Sequence, residues 1–237
     1  MFLSRRATQA EYFDSPHLPK AEIIEFYRSL ASANRLFMFA EPFQRTLPAL
    51  LTPERSSQVS ILDLGAGDGS LGKVLSGWAA KRGWTWRITD LDVSFDALAL
   101  NPGGRNVGGS VLALPFRDAS FDLVIASQMT HHLDDAQVVQ HLREAWRVTR
   151  GWILVSDLHR NFALYCSVWL LCRLHNFPKA FFRDAVLSVQ RAWRVRELQS
   201  LAERAGIEAA RTRLYFGARV LLQAQKQKSV AADASRR

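Results

Sequence analysis

The stretch that most constrains this chain is Ile61-Leu62-Asp63-Leu64-Gly65-Ala66-Gly67-Asp68-Gly69-Ser70. Val59, Ile61, Leu62 and Leu64 form a short apolar run that predicts a buried strand, and Leu71, Val74, Leu75 and Trp78 then recur at helical spacing. Three glycines stand at alternate positions between them. Glycine suits such a turn because it reaches backbone conformations a Cβ opposes and lets a ligand come close to the main chain. The helix start that follows offers free N–H groups. Strand, glycine turn and helix in this order make the first half of a nucleotide-binding βαβ unit.

The second half follows at the expected distance. Trp84-Thr85-Trp86-Arg87-Ile88-Thr89 predicts a second strand, ending in Asp90-Leu91-Asp92. Asp90 lies 21 residues after Gly69, near the ~20-residue spacing at which an acidic side chain meets ribose hydroxyls. A carboxylate accepts two such hydroxyls in bidentate fashion, so Asp90 is the candidate ribose ligand. Asp92 or Ser94 then caps the next helix. A dinucleotide turn carries a third glycine where this chain has Ser70, which counts against an NAD(P)-dependent oxidoreductase sharing the same unit.

Bulk properties narrow the class. The 237 residues are enough for one domain with decorations, and 48% hydrophobic with 22% charged residues describes a globular chain. Two cysteines, Cys166 and Cys172, sit in an apolar stretch and point to a reducing compartment. The N-terminus lacks a signal-peptide run, and the apolar stretch from Phe162 to Cys172 is too short to span a bilayer, so a cytoplasmic location is expected. No metal-ligating spacing is present. The net charge of +9 favours anionic partners in general, yet the arginines are dispersed or terminal; a solvated basic surface is expected rather than a nucleic-acid site.

Along the chain, residues 1–55 predict a helical extension, with one helix started by Pro19 and a second pattern from Asn34 through Leu51 broken near Pro42 and Pro48. This extension suits either a cover over a ligand site or an oligomer face. Residues 56–227 carry the alternating strands and helices that imply a Rossmann-like, seven-stranded, mostly parallel α/β sheet with helices on both faces. Phe121 to Ser127 and Trp152 to Asp157 predict strands; Asp134 or Asp135 caps a helix that Gly151 ends; Arg211 to Phe216 and Arg219 to Ala224 predict a closing hairpin. Residues 160–194 are unusually apolar and aromatic and predict a helical lid inserted after the fifth strand. Two other uses of that segment stay open, a core helix and an interfacial helix whose Arg160, Arg173, Lys179 and Arg183 meet lipid headgroups. Residues 228–237 predict a disordered tail.

Two segments carry a family resemblance. Asp63-x-Gly65-x-Gly67-x-Gly69 resembles the first motif of class I S-adenosylmethionine (SAM) dependent methyltransferases. Leu112-Ala113-Leu114-Pro115-Phe116-Arg117-Asp118-Ala119-Ser120-Phe121-Asp122-Leu123-Val124 resembles a segment shared by the small-molecule members of that group. The resemblance covers about residues 58–157. It implies that Gly65, Ala66, Gly67 and Gly69 place SAM, that Asp63 and Asp68 meet its amino-acid end, Asp90 its ribose, and Leu91, Leu112 and Ala113 its adenine. Ser127 and Gln128 open the loop that lines the site. The family's acidic residue at the adenine amino group is replaced here by Ser110, a weaker acceptor.

Methyl transfer from a sulfonium needs alignment more than acid–base power. A phenol or enol acceptor still has to lose a proton, and His131 or His159, each on a loop at the carboxyl end of a strand, is the candidate base. The apolar lid favours transfer to oxygen or carbon of a small apolar acceptor of aromatic, polyketide, quinone or isoprenoid type, with peripheral membrane contact as a further expectation. An RNA methyltransferase and a non-catalytic SAM-binding accessory protein are the alternatives from the same fold. Against nucleobase amines, Ser127-Gln128-Met129-Thr130 does not match the proline-rich loop they require.

Overall fold

Alternate residues of the central strands point to opposite faces of one sheet, and each face buries its own set of side chains. The computed structural model describes residues 3–15, 17–51 and 57–226. Strands β1 (Gln58–Leu64), β2 (Thr85–Asp92), β3 (Arg105–Gly108), β4 (Phe121–Ser127), β5 (Thr149–Leu158), β6 (Arg211–Tyr215) and β7 (Arg219–Gln225) form a seven-stranded sheet in the order β3-β2-β1-β4-β5-β7-β6. The first five strands are parallel; β7 is antiparallel to β5, and β6 to β7. The helices are α1 (Lys20–Leu36), α2 (Glu41–Leu50), α3 (Ser70–Ala80), α4 (Phe95–Leu98), α5 (Asp135–Val148), α6 (Phe162–Leu174), α7 (Lys179–Arg191) and α8 (Val195–Arg204). None of them is long and apolar enough to cross a membrane.

On one face Leu62, Leu64, Val124, Ala126, Ile153 and Val155 pack with Val138 and Leu142 of α5 and Leu198 and Leu201 of α8. On the other, Ile61, Leu123, Ile125 and Leu154 pack with Phe43 and Leu47 of α2 and Leu71 and Leu75 of α3. Each side chain removed from water this completely contributes about 1.5–3 kcal/mol. A third cluster meets the sheet only at Leu158, the end of β5, among the described residues: Leu164, Val168 and Cys172 of α6 and Phe181 and Val189 of α7 gather Phe26, Leu30 and Ala33 of α1. The apolar insertion after β5 is therefore a pair of helices that shares its inner face with the N-terminal helix.

Several boundaries differ from the sequence reading. β3 was not legible, because its four residues carry no hydrophobic pattern; pairing with Thr89 to Asp92 of β2 makes it a strand. The break in the N-terminal helices falls at Phe37–Ala40, where Met38 has φ 46°, and Pro42 lies in the first turn of α2 instead of breaking it. Gly151 does not cap α5. The helix ends at Val148 and β5 begins at once, so Gly151 lies inside the strand, where an added Cβ would collide with the Asp122 carbonyl oxygen. Asp134 is the helix cap, in a capping box with Gln137, and Ser94 caps α4. The junction at 52–56 and the tail from 228 lie outside the described residues.

The Gly151 contact is testable. Gly151→Ala is expected to cost about 1–3 kcal/mol of stability through overpacking against backbone, which thermal unfolding reads as a midpoint lower by about 2–4 °C per kcal/mol in a chain of this size. Gly77→Ala, in α3 with nothing within 4 Å of the added methyl, is expected to hold or raise the midpoint.

Candidate cofactor and acceptor site

The turn after β1 is built by its glycines. Gly65, Gly67 and Gly69 have φ of 68°, 57° and 67°, the left-handed region that a Cβ opposes. The N–H groups of Gly65 and Ala66 donate to the Leu91 carbonyl at 2.8 and 3.1 Å, and that of Gly67 donates to Asp92 Oδ2 at 2.8 Å. The turn is thus tied to the end of β2. Asp68 Oδ1 accepts from the Ser70 N–H at 3.1 Å and from its hydroxyl at 2.5 Å, which fixes the start of α3.

Close approach is the second reason for glycine here. A Cβ on Gly67 would lie 2.8 Å from the Tyr27 hydroxyl oxygen, and one on Gly65 would enter the Met129 side chain. Tyr27 belongs to α1, so the N-terminal helix lies directly over the turn. Burial, then the carboxylates of Asp92 and Asp68, raise the Tyr27 phenol well above its ordinary value, so it stays protonated. Further along α1, Asn34 Oδ1 accepts from Gln128 Nε2 at 3.0 Å, joining the same helix to the loop after β4. These contacts place α1 against the turn and against the loop after β4.

The carboxylates sit at two depths. Asp63 and Asp90 are opposite one another in the β1–β2 register and both are buried, on the α3 side of the sheet. Burial, with Asp90 and Asp92 nearby, raises the Asp63 carboxyl well above the carboxylate range. Burial also raises Asp90, opposed by a hydrogen bond from Asn101 Nδ2 to Oδ2 at 2.8 Å. Asp63 Oδ2 and Asp90 Oδ1 have no hydrogen-bond partner among the described residues. The Asp90 carboxylate is tucked between Gly69, Gly72 and Asn101. Asp92, two residues on, stands at the turn itself and is only half-buried. Asp90 is therefore an interior group, and the carboxylate presented beside the turn is Asp92, which the sequence reading had treated as a capping residue.

The same step of the strand separates Leu91 from Val93. The Leu91 side chain is fully buried in the core, whereas Val93 is exposed next to Asp92. Across from them Leu112 is half-buried and Ala113 exposed, and the Ser110 hydroxyl accepts from the Leu112 N–H at 3.2 Å. Ser127 is half-buried, its hydroxyl without a hydrogen-bond partner among the described residues, and Gln128 holds φ 51° with its N–H bonded to Ser156 O at 2.9 Å.

The two candidate histidines lie in different surroundings. His131, 3% exposed, pairs through Nδ1 with Asp157 Oδ1 at 2.7 Å, and its own N–H donates to Asp157 Oδ2 at 3.0 Å. A carboxylate only accepts, so Nδ1 carries a proton directed at Asp157. Thr130 adds a 2.5 Å bond to Oδ2, and the Leu158 N–H a 2.7 Å bond to Oδ1. Burial alone would raise Asp157; His131, Thr130 and Leu158 override it and hold the carboxyl well below the ordinary range. His131 Nε2 faces Glu11 Oε1 at 3.7 Å. His159 instead sits near Asn161 in an open cleft of about 540 Å³ lined by Leu3, Ser4, Arg160, Asn161, Phe162 and Arg194, with no residue of the glycine turn. Burial lowers its pKa.

A further polar cluster surrounds His131. His132 Nδ1 lies 2.7 Å from Asp14 Oδ1; Arg191 bonds Asp14 at 2.8 Å and the His131 and His132 carbonyls at 3.1 and 2.9 Å. Arg6 reaches the His131 and Leu133 carbonyls at 2.7 and 2.6 Å. The ligand atoms of Glu11, His131 and His132 come within 4.8 Å of one another, a set able to hold a cation. Arg191, 3.8 Å from Glu11, already supplies positive charge there.

A helix-flanked parallel sheet with a glycine turn, a carboxylate beside it and a histidine–carboxylate pair two strands away defines a cofactor-dependent transferase site of the Rossmann-like class. Residues 62–153 match the methyltransferase domain family model. An uncharacterized methyltransferase of Synechocystis is 32% identical over 179 residues, covering 72% of this chain and 77% of the relative. The structure of a SAM-dependent methyltransferase from Aquifex aeolicus superposes with TM-score 0.59 at 15% identity, over 88% of this chain and 99% of that one. Magnesium protoporphyrin IX methyltransferase from Synechocystis, solved with SAH bound, superposes with TM-score 0.52 at 14% identity, over 79% and 81%. The chain belongs to the class I SAM-dependent methyltransferases, and its cofactor is SAM.

Glu11 offers a pH test of the cluster. Burial raises its carboxyl from the ordinary 4.5 to about 7. The folded chain therefore holds a proton that the unfolded chain releases near 4.5, and the associated stability is complete below that pH and lost as pH rises through about 7. Denaturant midpoints of the wild type are expected to fall over this window relative to Glu11→Gln, which cannot ionise.

Proposed function

We propose that this enzyme transfers the SAM methyl group to an oxygen or carbon of a small apolar acceptor, with His131 as the base. The observation that carries the reading is the Asp157–His131 pair, whose Nε2 points away from Asp157 towards Glu11 at the carboxyl end of the sheet, on the loop whose Met129 lies against Gly65. Asp157 fixes the tautomer and stabilises the imidazolium that forms. When bound, SAM supplies an already electrophilic methyl group; the protein's task is alignment and removal of the acceptor proton.

Gly65, Ala66, Gly67 and Gly69 would admit the cofactor to the main chain, with Asp92 on the ribose hydroxyls and Val93, Leu112 and Ala113 against adenine. Unpartnered buried oxygens fit a cationic amino-acid end: Asp63 Oδ2 lies at the foot of the turn. An acceptor proton would pass to His131 Nε2, on the side where Glu11 now faces it. The N-terminal segment therefore has to yield for the acceptor to enter. The apolar cluster of α1, α6 and α7 beside the site supports an apolar acceptor and a water-poor reaction space. An RNA acceptor is less well supported, since Arg147, Arg150, Arg160 and Arg191 are paired with carboxylates instead of lining a face.

Labelled-methyl transfer to a panel of phenolic and quinol lipids tests the acceptor. His131→Ala is expected to lower kcat/KM by 10²–10⁴-fold, the usual worth of a general base, with SAM affinity unchanged in calorimetry. Asp92→Ala is expected to weaken SAM by more than tenfold, about 1.4 kcal/mol, and Asp90→Asn to weaken it less. Transfer to RNA alone would replace the acceptor proposed here.

A further inference from the structure

The helix α6 has two apolar faces, and only one of them is used by the fold. Leu164, Val168 and Cys172 point inward to the helical cluster. Phe162, Trp169, Leu170 and Leu174 point outward and are 45–74% exposed, with Cys166 exposed on the same side. Their spacing of four, three, one and four residues keeps them on one stripe of a helix. The stripe continues onto the β6–β7 turn. Asn161, the α6 cap, donates to the Gly217 carbonyl at 2.9 Å, and Phe216 beside it is exposed.

Within the α6–α7 hairpin the exposed charge has one sign, while Glu25 of the neighbouring α1 lines a cleft with Asn176, Phe177 and Pro178. From Arg160 to Arg183 the sequence holds no aspartate or glutamate. Arg160 is buried and paired with Glu197, but Arg173 on α6 and Lys179 and Arg183 on α7 are exposed. Arg173 lies 5.9 Å from the Trp169 ring, its stem running along the apolar surface. The first acid that follows, Asp184, is buried and accepts the Tyr12 and Phe13 N–H groups at 2.9 and 3.0 Å. An exposed apolar stripe whose own hairpin supplies only cations has a specific partner chemistry: aromatic and aliphatic side chains sink to the acyl boundary while cations stay with anionic headgroups. A second copy of the chain fits poorly, because face-to-face contact would bring two sets of Arg173, Lys179 and Arg183 together without counter-charge.

We propose that α6 is a membrane-docking helix: its outer stripe lies in the surface of an anionic phospholipid bilayer, with Arg173, Lys179 and Arg183 on the headgroups. The same helix forms the wall of the apolar cluster beside the candidate site, so docking would deliver a lipid-soluble acceptor there. That last step rests on the apolar-acceptor reading; bilayer binding itself does not.

Vesicle co-sedimentation of the full chain separates the two. Phosphatidylglycerol-rich vesicles are expected to retain the protein, pure phosphatidylcholine far less, and retention is expected to fall as salt rises. Leu170→Glu with Leu174→Glu is expected to reduce retention at least about tenfold, and Arg173→Gln with Lys179→Gln and Arg183→Gln to remove the preference for anionic lipid. An environment-sensitive dye on Cys166 is expected to shift to the blue with anionic vesicles. SAM titration of each variant reports that it is folded, since none of these residues touches the glycine turn. No retention of the wild type, equal retention of the variants, or an unshifted dye would overturn the proposal. So would a dimer in sedimentation velocity that Leu170→Glu converts to monomer, which would make the face an interface between copies. Vesicle binding without transfer to any lipid would keep the docking helix and remove the apolar acceptor.

Discussion

The site depends on one buried carboxylate. Asp157, at the end of β5, collects four donors: the Thr130 hydroxyl, the His131 N–H, His131 Nδ1 and the Leu158 N–H. Such a group is favourable only while every donor is in place, because losing one leaves charge buried without compensation, at a cost of several kcal/mol. The loop after β4 is thereby locked to β5. The turn at 130–133 then becomes a landing place for two arginines from distant segments: Arg191 from α7 and Arg6 from the N-terminal segment both bond its carbonyls. A histidine held this firmly is pre-oriented, which suits the proposed role as base in a reaction whose barrier is mainly one of alignment.

The carboxylates show how a small displacement changes a role. Asp90 and Asp92 point to the same side of β2 and are one strand repeat apart. That repeat moves the side chain from beneath Gly72 to the lip of the glycine turn. Spacing along the chain selected Asp90, because counting residues from Gly69 cannot see where a strand leaves the sheet. Leu91 and Val93 follow the same logic on the opposite side, one in the core and one exposed.

Covering elements come from both ends of the chain. Tyr27 of α1 rests on Gly67, Asn34 holds Gln128, and α1 shares an apolar cluster with α6 and α7. A movement of this layer is a movement of the roof over both cofactor and acceptor sides. Placing the outer stripe of α6 on the opposite surface of the same layer links that roof to whatever α6 meets.

The sequence by itself determined the sheet, the glycine turn and the family. The short apolar runs in Ile61 to Leu64 and Phe121 to Ser127, and three glycines at alternate positions, are local signals that packing has no reason to overrule. It also placed His131 among the candidate bases and the apolar insertion after β5. Only the tertiary structure decided which histidine has a carboxylate partner, because Asp157 is 26 residues from His131 and meets it through the parallel pairing of β4 and β5. It likewise brought Glu11 to His131, Tyr27 to Gly67 and Asn34 to Gln128 and paired β3 with β2, since those depend on contacts between distant segments. Depth, facing and partnership are properties of packed neighbours, and no periodicity along a single chain carries them.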